Sequence, residues 1–287
     1  MLRQDNPRLL ELRERYARCR LPMALRSQWN AAYLSNELNL AHFRGDNVYV
    51  WQFRNVGGKA RDKYHAYLLH LAGLDKEQRL LHRLEEDGLF GCWTFSYPGW
   101  PPVSRDLLDS INQLHFLDRH LQLLRRAGMT LLDIGAGYGR LAWRALAAAP
   151  GLAGYVCTDA VPESTFLCEY HLRFRGCNRA EVVPLDELDE RLAGRKFDLA
   201  INTHSFSEMS RPAIDGWISR IARLGVPHLF IEDHSELLSH EADGTHPDYQ
   251  PVLTAHGYRL AVKEPIVPPA LADFMAVRDN FYLFALG

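Results

Sequence analysis

Past Gly128 the chain switches between short apolar runs of strand length and stretches with helical spacing. The runs fall at 130–134, 154–158, 180–184, 198–202, 228–232, 258–262 and 281–286. Strands separated by helices cannot pair through tight hairpins. Each crossover has to lay a helix on the sheet, which predicts a mostly parallel sheet covered on both faces, with right-handed connections.

Residues 1–127 carry a different pattern. Leu9, Leu10 and Leu12 sit among charges, and 64–74 and 77–84 repeat the theme. The stretch 104–126 reads as one amphipathic helix, with Leu107, Leu108, Ile111, Leu114, Leu117, Leu121 and Leu124 at helical spacing. Between these, "EDGLFGCWTFSYPGWPPVSRD" is rich in rings and turn residues and predicts an ordered loop or a small strand pair. The expected division is a helical region, 1–127, and an α/β region, 128–287.

At 287 residues and 47% hydrophobic, the chain can bury a large core. A formal net charge of -2 gives no electrostatic reason to expect nucleic acid or an anionic membrane as partner. There is no long uncharged apolar run, and the charged N-terminal stretch lacks the apolar centre of a secretory signal. The five cysteines form no CxxC pair, and an odd number cannot all pair within one chain. These features predict a reduced, cytoplasmic protein without structural zinc. The amphipathic N-terminal helices could supply a homodimer surface.

The centre of interest is "TLLDIGAGYGRLAWRAL", residues 130–146. Gly135, Gly137 and Gly139 fall where a parallel strand ends, the place at which open α/β sheets bind ligands. Glycine lets a ligand approach the backbone and permits a tight turn into the next helix. The dinucleotide fingerprint G-x-G-x-x-G would need glycine where Arg140 stands, and the Gly-Lys-Ser/Thr ending of a phosphate loop is missing. The spacing D-x-G-x-G-x-G instead resembles the first motif of class I S-adenosylmethionine-dependent methyltransferases. That resemblance implies a Rossmann-like seven-stranded sheet ending in an antiparallel pair. It assigns Asp133 to the amino group of the cofactor and the glycine loop to its methionine end and sugar.

"GYVCTDAVPES" reads as a strand ending at Asp159, an acid placed to accept hydrogen bonds from ribose hydroxyls. Asp186 in "VVPLDEL" is a candidate adenine contact, and Asn202 joins the cofactor-facing set at the end of the fourth run. Each element also has a plain reading: a glycine turn can be only a turn, and Asp159 can cap the helix that begins near Pro162.

Beyond the fourth run lies "INTHSFSEM", with His204, Ser205, Ser207 and Glu208. An acceptor hydroxyl needs its proton removed, and histidine suits that task near neutral pH. His204 is the first candidate base, His234 the second, with Glu208 beside them. A purely local hydrogen-bonding role fits His204 equally well. In "IEDHSE", Asp233 and His234 are candidate pocket residues. Magnesium with oxygen ligands is conceivable there, but a helix cap accounts for the same residues, so no metal set is assigned.

The stretches "FRGDNVYVWQFRN", "SRDLLDS" and "NTHSFSEM" resemble a family of sugar O-methyltransferases of bacterial natural-product pathways, from about Trp29 to the last strand. The resemblance implies that the helical region covers the cofactor and builds the acceptor site, with Arg105, Asp106, Trp51 and Gln52, and also Arg44 and Asp46, near the cleft. Ser104 and Asp106 equally suit a capped helix start. The expected activity is in-line methyl transfer from S-adenosylmethionine to a hydroxyl of a glycosylated small molecule. A non-sugar hydroxyl or carboxyl acceptor, a nicotinamide oxidoreductase and an inactive binding module stay open as alternatives.

Overall fold

The computed structural model describes residues 1–25, 28–45, 47–49 and 60–287. Before the sheet come helices α1 (Pro7–Arg18), α2 (Ala31–Glu37), α3 (Ala60–Leu74), α4 (Leu80–Arg83) and α5 (Arg105–Leu121). Strands β1 (Thr130–Ile134), β2 (Gly154–Thr158) and β3 (Ala180–Val182) are separated by α6 (Arg140–Ala148) and α7 (Pro162–Phe174). Then follow α8 (Leu188–Arg191), β4 (Leu199–Thr203), α9 (Arg211–Arg223) and β5 (His228–Asp233). The chain ends with α10 (Gln250–Ala255), β6 (Tyr258–Pro265), α11 (Pro269–Met275) and β7 (Asn280–Leu286). No helix among the described residues is long and apolar enough to cross a membrane.

The strands form one sheet in the order β3-β2-β1-β4-β5-β7-β6. The first five run parallel, and β7 lies antiparallel between β5 and β6. This is a Rossmann-like methyltransferase fold with a helical N-terminal region. Successive strand residues point to opposite faces. Leu131, Tyr155, Ile201, Phe230 and Leu283 enter one core, and their neighbours Leu132, Val156, Ala200, Ile231 and Tyr282 enter the other. Helices from before residue 128 serve both layers. Leu107, Ile111 and Leu114 of α5 pack in the first core, and Leu9 and Leu12 of α1 in the second.

The long helix expected over 104–126 starts as anticipated, because the Ser104 hydroxyl accepts the Leu107 N–H. It stops at Leu121, five residues early. Gln122 takes a left-handed conformation (φ 58°), and the Asp118 carboxylate receives the Leu124 N–H and pairs with Arg125. The helix expected over 77–84 shrinks to α4, whose first N–H groups are capped by Asp75. The aromatic loop closes through a single antiparallel bridge between Phe95 and Val103.

Candidate functional site

From β1 the sheet grows through β2 in one direction and through β4 in the other. A crevice opens between the carboxyl ends of β1 and β4, where sheets of this kind bind ligands. The glycine loop forms its floor. Gly135 (φ 72°) and Gly137 (φ 57°) both adopt the left-handed conformation that side chains resist. A Cβ on Gly135 would lie 2.0 Å from Ser205 Oγ. That hydroxyl is fixed by Asn202 Nδ2 at 2.6 Å and reaches the Ile134 carbonyl at 3.3 Å. Asn202, fully buried, also donates to Ile134 O and accepts the Phe206 N–H, so it ties the ends of β1 and β4 together.

Asp159 grips the loop from β2. One carboxylate oxygen accepts the Gly137 N–H at 3.0 Å and the other the Val161 N–H at 2.8 Å. Each oxygen has a second lone pair to offer. Burial lifts its carboxyl to about 7 despite those two bonds. Asp133 sits beneath the loop, accepts the Tyr155 hydroxyl at 2.9 Å, and is likewise raised by burial to about 7. Glu208 accepts Trp29 Nε1 at 2.7 Å and is lifted to about 7 by burial. Gly135, Gly137, Asp159, Ala160, Ser164 and Glu208 line a cavity of about 110 Å³ together with Met23, Trp29 and Tyr49. The sequence reading missed Trp29 and Tyr49 as wall residues, since an aromatic on a loop carries no signal of what it covers.

A second space of about 900 Å³ adjoins the first and shares Tyr49, Gly135, Gly137, His204 and Glu208 with it. Its polar wall includes Arg105, Asp133, Arg140, Glu232, His234 and Asp279. His204 leaves β4 with φ 58°, and its N–H is held by the Glu232 carbonyl at 2.8 Å. Its ring lies 3.7 Å from Glu232, 3.7 Å from Asp279 and 4.0 Å from Asp233. Burial opposes a charge on this ring, but the surrounding carboxylates outweigh it and lift His204 to about 9. His234, largely exposed, bonds Asp279 at 2.9 Å, and that bond raises its pKa. Asp233 is fully buried behind the histidines and accepts the Tyr249 hydroxyl. Asp279 belongs to the same group, although it sits in a loop 75 positions past His204 with no motif around it.

Other expected site residues lie elsewhere. Asp186 is not a wall residue; it is paired with Arg15 of α1 at 2.7 and 3.0 Å. Asp106 is not a wall residue either. It is fully buried, bound by Arg44, Tyr138 and Ser104, and faces Arg144. Burial works against its charge, yet Arg44 and Arg144 hold its carboxyl well below the usual range. Arg44 is fully buried in this network with Glu86 rather than lining the cleft. Arg105 does line the larger space and pairs with Asp109 at 3.1 Å. Asp46, Trp51 and Gln52 lie outside the described residues.

No family model matches the chain, and no curated protein matches it. Solved structures do resemble it. The cyclase SpnF is 17% identical, with 78% of this chain and 92% of that one covered, at a TM-score of 0.47. The magnesium protoporphyrin IX methyltransferase of Synechocystis, solved with bound S-adenosylmethionine, is 16% identical, with 81% and 100% covered, at 0.46. An S-adenosylmethionine-dependent methyltransferase of Clostridium acetobutylicum is 13% identical, with 62% and 90% covered, at 0.44.

Proposed function

We propose that the protein is an S-adenosylmethionine-dependent O-methyltransferase acting on a hydroxyl of a polar, glycosylated small molecule. The observation that carries this reading is the charge around the glycine loop. Asp133, Asp159 and Glu208 line it, and a cationic ligand would restore the ionised form that burial disfavours in all three. Carboxylates repel the phosphates of a dinucleotide and attract a ligand bearing ammonium and sulfonium groups. The residues therefore suit that cofactor: Asp159 keeps lone pairs for ribose hydroxyls, Asp133 would hold the amino group, and Gly137, whose missing Cβ lets Tyr49 pack close over the loop, lines the same cavity.

Bound there, S-adenosylmethionine supplies an electrophilic methyl group. The chain's own part is to align an acceptor oxygen with it and to keep water out. Helices and loops from before residue 128 act as the cover, with Trp29 and Tyr49 over the smaller cavity. His204, backed by Glu232, hydrogen-bonds the acceptor oxygen, and it takes up the acceptor's proton in its neutral form, which prevails only above about pH 9. The polar wall of the larger space, with Arg105 and Arg140 among its donors, suits a hydroxyl-rich acceptor.

Calorimetric titration with S-adenosylhomocysteine tests the reading on wild type and on Asp159→Ala, with folding of both checked by circular dichroism. Micromolar binding that collapses in the variant is expected. Folded wild type that binds NADH but not S-adenosylhomocysteine would overturn it.

A further inference from the structure

We propose that His204, His234 and Asp279 bind one divalent transition-metal ion of the cobalt–zinc class, open to the larger cavity. One ligand atom from each residue lies within 4.8 Å of the other two. His234 Nδ1 is 2.9 Å from one Asp279 oxygen, and His204 Nε2 is 3.7 Å from the other. Ligands bound tetrahedrally at about 2.0–2.2 Å stand roughly 3.3–3.6 Å apart, so an ion enters with small side-chain rotations.

The sheet itself brings the three together. β5 pairs with β4 on one side and with β7 on the other. His204 follows β4, His234 follows β5, and Asp279 precedes β7, so their backbones meet at one sheet end. Neighbouring groups back the two histidines. The His204 ring has Asp233 at 4.0 Å on its other nitrogen, and Tyr249 anchors that carboxylate at 2.7 Å. Tyr282 donates to the His234 carbonyl at 2.7 Å. Carboxylates that orient the far nitrogen of a ligating histidine are a regular feature of metal sites.

The backbone of His204 is consistent with this. Its left-handed conformation is uncommon for a non-glycine residue and recurs at functional sites. Here it aims the ring at Asp279 and the cavity. All three residues border the larger space, and with three protein ligands the ion keeps a position open toward it. Among the described residues, the other cluster of this kind, Glu86, Cys92 and Asp106, already holds Arg44 and Arg144 as its cations.

Ligand type selects the ion. Two imidazoles and one carboxylate suit zinc, cobalt, iron or nickel, whereas magnesium and calcium demand oxygen. The inference goes beyond methyl transfer. Its consequence for chemistry rests on that reading: with His204 ligating the ion, the ion takes over its part, and a hydroxyl oxygen on the open position would give up its proton to water in the open cavity before attacking the methyl carbon.

The test uses the untagged full chain stripped with a chelator and titrated with Co²⁺, followed by visible absorption and calorimetry. One equivalent should bind with ligand-field bands. His234→Ala, at an exposed position that threatens folding little, and Asp279→Asn should each weaken binding by at least about 10–100-fold. Mg²⁺ at the same concentration should not displace Co²⁺. Absence of Co²⁺ binding, equal binding in both variants, or displacement by Mg²⁺ would overturn the proposal. S-adenosylhomocysteine titrated in parallel separates the two readings: Co²⁺ binding without it sinks the methyltransferase, and the converse sinks only the metal site.

Discussion

Gly135→Ala probes the floor of the crevice. Two costs can be worked from the geometry. Alanine at φ 72° sits in the left-handed region, a cost of roughly 1–2 kcal/mol. Its Cβ would also lie 2.0 Å from Ser205 Oγ and 2.4 Å from Ser205 Cβ, so the Ser205 backbone must move away, since rotating the side chain shifts Oγ but not Cβ. That movement breaks its bonds to Asn202 and to the Ile134 carbonyl, each contributing about 0.5–1.5 kcal/mol. The sum is roughly 2–5 kcal/mol, read from urea denaturation. Ser205→Gly removes the same two bonds without the backbone strain. The double variant should therefore cost little more than Gly135→Ala alone, a coupling of about 1–3 kcal/mol. Calorimetry should show Gly135→Ala failing to bind S-adenosylhomocysteine, because the loop that Asp159 holds has shifted. Strict additivity of the two substitutions, or a Gly135→Ala protein with wild-type stability and binding, would refute the reasoning.

Asp133→Asn should stabilise the ligand-free protein at pH 8, by on the order of 4 kcal/mol at most. The folded carboxyl, raised to about 7, favours folding below its unfolded value of 3.8 and loses that contribution as pH rises through 7. Denaturation midpoints of variant and wild type should thus diverge between pH 5 and pH 8, and a pH-independent difference would count against it. Arg44→Met leaves Glu86 and Asp106 in the interior with Arg144 as their one remaining arginine and should cost about 3–5 kcal/mol in the same assay, with Asp106→Asn in the same chain recovering part. Asp186→Ala breaks only a part-exposed pair with Arg15 and should shift S-adenosylhomocysteine affinity by about twofold or less. A large loss there would put Asp186 back at the cofactor.

Much of the sheet was legible in the sequence. The runs at 130–134 and 154–158 coincide with β1 and β2, because alternation and length are local signals that the strand's own residues carry. The three glycines and the Ser104 cap were equally readable, being fixed by backbone conformation over a few residues. The early end of α5 was not, since Gln122 carries no glycine-like mark and Asp118 makes the stop through its side chain. Nor could the sequence say which carboxylates share a cavity. Asp106 and Asp186 were drawn off by arginines at distant positions, Arg44 and Arg15, while Asp279 was brought to His204 by the pairing of β5 with β7. Local pattern determined where strands, turns and caps form. Only the long-range pairing of strands and the burial of charge, which depend on residues far apart in the chain, decided which side chains meet.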